Sequence, residues 1–231
     1  MKTAPSQTHR RIGLLIPSSN TTMEVDFYRN LPPGISVHTA RMFMEDTTVA
    51  GESRMLDEFA LPAARDIGTA HPDVVVFGCT SAGALRGNDY DSQLCQRITA
   101  ITGVPTISVI KSVSEALQEC HANRLIVVTP YVDELNERIE KSLEADGVEI
   151  LKISGLGISE NFQIAMVPDQ EIVDFCLQAI RGQNPDALFI SCTNFPAMRV
   201  LETIRKAVPF PVITSNQAIL IKALTIVGSS T

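Results

Sequence analysis

One short pattern occurs twice in this chain at a single spacing. Pro72-Asp73-Val74-Val75-Val76-Phe77-Gly78-Cys79-Thr80 recurs as Pro185-Asp186-Ala187-Leu188-Phe189-Ile190-Ser191-Cys192-Thr193, and the separations Pro72 to Pro185 and Cys79 to Cys192 are both 113 residues. The run from Arg11-Ile12 to Pro17 recurs at the same offset as Arg124-Leu125 to Pro130. An offset held over two separate blocks makes the chain two similar halves, each ending a buried strand in a thiol. Halves related by a pseudo-twofold axis would aim those thiols at each other across one cleft.

Short apolar runs alternate with stretches of helical spacing. That pattern predicts an α/β fold of two pseudo-symmetric lobes, each a parallel sheet flanked by helices, with the active site in the cleft between them. The lobes are expected over 11–123 and 124–231, with the terminal helix free to cross back onto the first lobe. Residues 1–10 read as a disordered leader. Strands are expected over 11–16, 35–41, 74–78, 106–110, 125–129, 148–153, 187–191 and 211–214. Thr21 and Glu24 form a capping box that opens a helix to about Arg29. The helical spacing over 52–70 contains Pro62, which should kink or break it. A Gly/Ser-rich loop is expected over 154–160, and the acidic run Glu134 to Glu144 reads as a solvated helix face. In open parallel sheets ligands bind beyond the carboxyl ends of the strands, and Asn20, Cys79, Tyr131 and Cys192 all follow strand ends.

Composition removes several classes of function. A net charge of −7 with no basic run argues against a nucleic-acid partner. The apolar runs are strand-length, too short to cross a membrane. Residues 1–10 lack the apolar segment of a signal peptide. Five cysteines without C-x-x-C spacing fit reduced thiols in the cytoplasm. His9, His38, His71 and His121 are scattered, so no metal set is expected. Gly155-Leu156-Gly157 is too short for a dinucleotide motif and no phosphate loop is present, so no cofactor is expected.

Chemistry therefore rests on thiols. Cys95, Cys120 and Cys176 fall on expected helices and read as packing residues. Cys79 and Cys192 sit at strand-to-loop junctions, where backbone N–H groups lower a thiol's pKa and bind anions. Two opposed thiols suit proton transfer beside a carboxylate, or addition to a carbon–carbon double bond. The expected pocket loops carry few cations, Arg86 being the nearest after Cys79, so an anionic substrate would be held by neutral donors.

These motifs resemble the aspartate/glutamate racemase superfamily, and within it most the maleate cis-trans isomerases. The similarity runs from Arg11 to about Leu224, and its most specific piece is Arg11-Ile12-Gly13 with Pro17-Ser18-Ser19-Asn20-Thr21 and Met23-Glu24. The resemblance implies a cofactor-free enzyme acting on a small carboxylic or dicarboxylic acid. Cys79 would be the nucleophile and Cys192 the second thiol. Asn20, Tyr131 of Thr129-Pro130-Tyr131, and Asn161 of Glu160-Asn161 would hold carboxylates. Thr80, Ser81 and Thr193 would either bind substrate or shape the turns. Relatives of this kind are often dimers, so a homo-oligomer is an open expectation. Thr80 after Cys79, and Thr193-Asn194 after Cys192, look more like the amino-acid racemases. A two-thiol racemase or epimerase of an amino acid, hydantoin or similar acid is thus the alternative. Arylmalonate decarboxylases typically keep only the second thiol, and Cys79 counts against that activity. A non-catalytic small-acid binding protein is the third reading.

Overall fold

The computed structural model describes residues 9–228. Most of the expected leader, residues 1–8, lies outside the described residues, and Arg10 already belongs to the first strand. In the first half, β1 (Arg10–Pro17), β2 (Ile35–Met42), β3 (Val74–Phe77) and β4 (Thr106–Ser108) form a parallel sheet in the order β2-β1-β3-β4. In the second, β5 (Arg124–Thr129), β6 (Glu149–Gly155), β7 (Ala187–Ile190) and β8 (Val212–Thr214) repeat it as β6-β5-β7-β8. The helices of the first half are α1 (Met23–Asn30), α2 (Val49–Arg54), α3 (Ala60–Gly68), α4 (Thr80–Ala84), α5 (Asn88–Thr102) and α6 (Val109–Glu119). Those of the second are α7 (Asp133–Ala145), α8 (Asn161–Ile164), α9 (Asp169–Ile180), α10 (Ala197–Ala207) and α11 (Ser215–Val227). Strands β3 and β7 are buried throughout, which is why they read as unbroken apolar runs: helices cover both faces.

The repeat is visible in individual hydrogen bonds. Asp73 Oδ2 accepts from the Arg11 N–H at 2.8 Å, and Asp186 Oδ2 accepts from the Arg124 N–H at 2.8 Å. Each aspartate locks the start of a central strand to the start of its neighbour. At the other end, Gly78 N donates to Leu15 O at 2.7 Å and Ser191 N to Val128 O at 2.8 Å. Gly78 is required by crowding, since a Cβ there would lie 2.7 Å from both Ile16 Cγ2 and Met23 Sδ. Two equivalent strand ends, each followed at once by a cysteine, therefore face the boundary between the halves.

Helix α11 joins them. Its buried residues, among them Ala218, Ile219, Leu220, Ala223, Leu224 and Val227, cover much of its circumference, as a helix enclosed by protein requires. It packs against α6, α1, β3 and β4 of the first half as well as β8 of its own. Thr214 caps it by accepting from Gln217 N at 3.2 Å, and Ser108 caps α6 in the same way from Lys111 N at 3.3 Å.

Some local expectations change. The Thr21–Glu24 capping box is not formed: Asn20 Oδ1 accepts from Thr22 N and Met23 N, both at 3.0 Å, while Glu24 pairs with Arg41. Asn20 sits one residue closer to the strand end, so its amide reaches the orphan N–H groups first. The helical run does not break at Pro62. A π-helical turn over Met55–Phe59, with Ala60 N bonding Met55 O, precedes α3 and leaves Pro62 in its first turn, where a missing N–H is tolerated. The loop expected over 154–160 is shorter, because β6 continues to Gly155 beside β5.

Candidate active site

Cys79 follows β3 with extended backbone at the start of α4 and is 4% exposed. Its sulfur lies 3.9 Å from Ser81 Oγ. Ser81 in turn donates to Glu52 Oε1. Glu52 comes from α2 and is fully buried, and its second oxygen, Oε2, has no partner.

Cys192 follows β7 and is 6% exposed, but its backbone differs: φ is +96°, a region costly for a residue with a Cβ. The surroundings enforce it. Cys192 N donates to Ser215 Oγ at 3.0 Å, Asn216 Nδ2 donates to Thr193 O at 3.0 Å, and Thr193 Oγ1 donates to Gly78 O at 3.0 Å. Ser215 also accepts from Thr80 Oγ1 at 2.9 Å. One hydroxyl at the start of α11 thus fixes both thiol loops relative to each other. The twist turns the Asn194 N–H onto the Cys192 sulfur at 3.3 Å.

Tyr131 stands near both thiols. It is buried after β5, its N–H held by Thr129 Oγ1 at 3.0 Å, and its hydroxyl reaches the Cys192 thiol and the Ser81 hydroxyl. Cys192, Tyr131, Ser81, Cys79 and Glu52 therefore form one connected polar cluster inside the apolar body of the protein.

The expected lowering of the thiol pKa values is reversed. Burial pushes Cys79 far up, and the Glu52 charge and then the Cys192 charge push it further, against the Ala82 N–H and Ser81 hydroxyl. Burial raises Cys192 to about 11, opposed by hydrogen bonds from the Tyr131 hydroxyl and from the Asn194 and Phe195 N–H groups. The N–H donors act in the expected direction, but burial outweighs them. Burial likewise raises Glu52 to about 8, with the Ser81 hydrogen bond lowering it and the Glu134 charge raising it. Tyr131 is raised by burial and by both thiols.

Four further candidates surround this cluster, held by protein partners. Asn20 Nδ2 donates to Thr193 Oγ1 at 3.0 Å, in addition to the two N–H groups its oxygen accepts. Asn161, the first residue of α8, accepts from Thr47 Oγ1 at 3.1 Å and donates to Ser19 Oγ at 2.8 Å. Its carbonyl accepts from Asn194 Nδ2 at 2.6 Å. Thr80 and Thr193 point their hydroxyls at Ser215 and Gly78. Between the halves, Asp46 and Glu160 form an antiparallel bridge and Thr47 N donates to Ser159 O at 2.6 Å, joining loops of the two halves. Arg86 does not join the cluster: Asp57 grips it at 2.7 Å and it lies over Tyr90. Cys95 and Cys176 lie on α5 and α9, and Cys120 just past α6. Among the described residues, no three His, Cys, Asp or Glu side chains converge as a metal set.

Glu52, Ser215 and Asn194 were not found from sequence. Glu52 left one trace: a carboxylate three and four positions before buried Met55 and Leu56, on the apolar face of the helical run. Ser215 looks like any residue at a helix start.

Comparison with known proteins gives the family and the fold. The pattern of the arylmalonate decarboxylase family runs through residues 12–231. This chain belongs to that family. A curated member, the maleate isomerase of Nocardia farcinica, is 28% identical over 221 residues, covering 90% of this chain and 86% of its own. The crystal structure of the maleate isomerase Iso from Pseudomonas putida S16 matches with a TM-score of 0.88 at 25% identity, covering 94% of this chain and 92% of that one. A Cys-to-Ser mutant of the Nocardia farcinica maleate cis-trans isomerase, solved with a covalently bound succinylcysteine intermediate, matches with a TM-score of 0.84 at 26% identity over the same shares. Among the described residues, no helix of this family member is long and apolar enough to cross a membrane.

Proposed function

We propose that this protein is a cofactor-independent cis-trans isomerase converting maleate, or a related 2-enedioate, to the trans acid through a covalent Cys adduct. The observation that carries the reading is the thiol pair itself. One sulfur comes from each half, the Cys192 charge raises the cost of ionising Cys79, and the Tyr131 hydroxyl bonds to Cys192. The Cys79 sulfur adds to one alkene carbon, and the Cys192 thiol protonates its neighbour. The central bond is then single and rotates. Cys192 takes a proton back and Cys79 leaves. Asn20 and Asn161 each have one amide hydrogen committed to the protein, leaving the other to anchor a carboxylate. The succinylcysteine of the Nocardia farcinica relative supports an adduct of this kind.

The racemase alternative drew on the threonine after each cysteine. Thr80 and Thr193 direct their hydroxyls at Ser215 and Gly78, so the threonines no longer favour it. Maleate incubated with the protein in heavy water, followed by proton NMR, tests the proposal. Fumarate should accumulate with enzyme-dependent kinetics. Its absence at high enzyme concentration would remove this substrate. Deuterium entering the α-carbon of an amino acid, or carbon dioxide released from an arylmalonate, would instead identify the racemase or decarboxylase activity.

A further inference from the structure

A thiol that adds to carbon must release its proton, and at Cys79 the Ala82 N–H and Ser81 hydroxyl are outweighed in favouring a resting thiolate. Burial and a neighbouring carboxyl oppose it, and no cation stands among the groups that act on either sulfur. The same carboxyl offers a solution. Ser81 Oγ lies between the Cys79 sulfur and Glu52 Oε1, donating to the latter. Glu52 is wholly buried with Oε2 unpartnered, an expensive arrangement for a side chain with only a packing role.

We propose that Glu52 is the proton acceptor for Cys79, reached through the Ser81 hydroxyl, a role that rests on the isomerase reading. As the Cys79 sulfur bonds to the alkene carbon, its S–H bond breaks and the proton passes to Ser81 Oγ, while the Ser81 proton passes to Glu52 Oε1. The alkene π pair moves to the neighbouring carbon, which takes the proton of Cys192. The protein's own groups hold one negative charge before the step, on Glu52, and one after it, on Cys192. The count never reaches two, which matters where no cation offsets a buried charge. The assignment also explains why the Tyr131 hydroxyl and the Asn194 and Phe195 N–H groups gather at Cys192: that sulfur receives the charge. When the adduct collapses, each proton retraces its path. Glu52 acts through Ser81, so it is a positioning residue for the Cys79 proton.

The groups facing Glu52 are Ser81 and Cys79 from the β3–α4 junction, Cys192 after β7, and Glu134 of α7. On its own helix, Arg54 is turned to Phe43, Phe59 and Glu58. Glu52 changes charge at about pH 8, so it is poised to exchange a proton near neutrality.

Two readouts test the proposal in Glu52→Gln, Ser81→Ala and the double variant. The first needs no substrate: thiolate ultraviolet absorbance is titrated, each protein being compared with its Cys79→Ser counterpart so that Cys79 alone is read. In Glu52→Gln the Cys79 thiolate should form at lower pH, because the opposing charge is gone. The second is maleate turnover against pH. Wild-type kcat/KM should rise through about pH 8 and level off. Glu52→Gln should lose that rise and be slower by about 10²–10⁴-fold, despite its more acidic thiol. Ser81→Ala should show a similar loss, and the double variant should be no slower than Glu52→Gln. An unchanged Cys79 titration, or a Gln variant with wild-type rate and pH profile, would overturn the role. If the wild type turned over no enedioate, the isomerase reading would fall, while the titration would still decide whether Glu52 and Cys79 are coupled.

Discussion

Replacing Glu52 by Gln should stabilise the folded protein, increasingly so as the pH rises. In the unfolded chain this carboxyl ionises near 4.5, whereas in the fold it ionises at about 8. Between those values the folded state keeps a proton that the unfolded state has lost, so stability falls with rising pH. Above both values the full penalty is present. At about 1.4 kcal/mol per pH unit it amounts to about 5 kcal/mol. Gln has no charge to bury and keeps an oxygen for the Ser81 hydroxyl. Its amide replaces an Oε2 that already lacks a partner, so no hydrogen bond is lost. Urea unfolding followed by far-ultraviolet circular dichroism, for both proteins at about pH 5 and about pH 9, reads the difference directly. The advantage of the Gln variant should widen by about 4 kcal/mol between those pH values. A difference that stays constant with pH would refute the reasoning, because it would mean that Glu52 ionises as easily in the fold as in water.

Three further outcomes follow from the same geometry. Cys192→Gly should be more stable than Cys192→Ala by about 1 kcal/mol, because φ of +96° strains any residue with a Cβ; equal thermal midpoints would contradict this. Ser215→Ala should lower stability by about 1–3 kcal/mol in urea unfolding and reduce kcat more than it raises KM, since that hydroxyl accepts from both thiol loops. Cys95→Ser should keep most of the maleate turnover, because Cys95 lies on α5 outside the polar cluster, and a large loss measured by NMR would count against the site as drawn.

Much of this molecule was legible because the chain repeats itself. The 113-residue offset gave both sheets, and the Asp73 and Asp186 locks at that offset show why the pattern begins with Pro-Asp. Cysteine directly after an apolar run placed both thiols at strand ends, and Tyr131 followed the same rule. Glu52 escaped because it reaches Cys79 through Ser81, 29 residues away, by a contact that exists only once α2 folds over α4. The φ of Cys192 had no signal either, since the sequence carries no glycine there. The direction of the thiol shifts was misread for a related reason. Local N–H donors are visible in a strand–loop motif, but burial by the opposite half is not.

The central claim is that both sulfurs act on one small anion, Cys79 as nucleophile and Cys192 as acid. The most direct test is to incubate Cys192→Ser with maleate and identify any adduct by mass spectrometry of the intact protein and its peptides. The account predicts that the protein gains one maleic acid and that the added mass maps to Cys79, as a thioether that persists because a neutral serine hydroxyl is a poor base for removing the proton whose loss releases Cys79. No adduct, an adduct on Cys95, Cys120 or Cys176, or undiminished fumarate production by Cys79→Ser would contradict it.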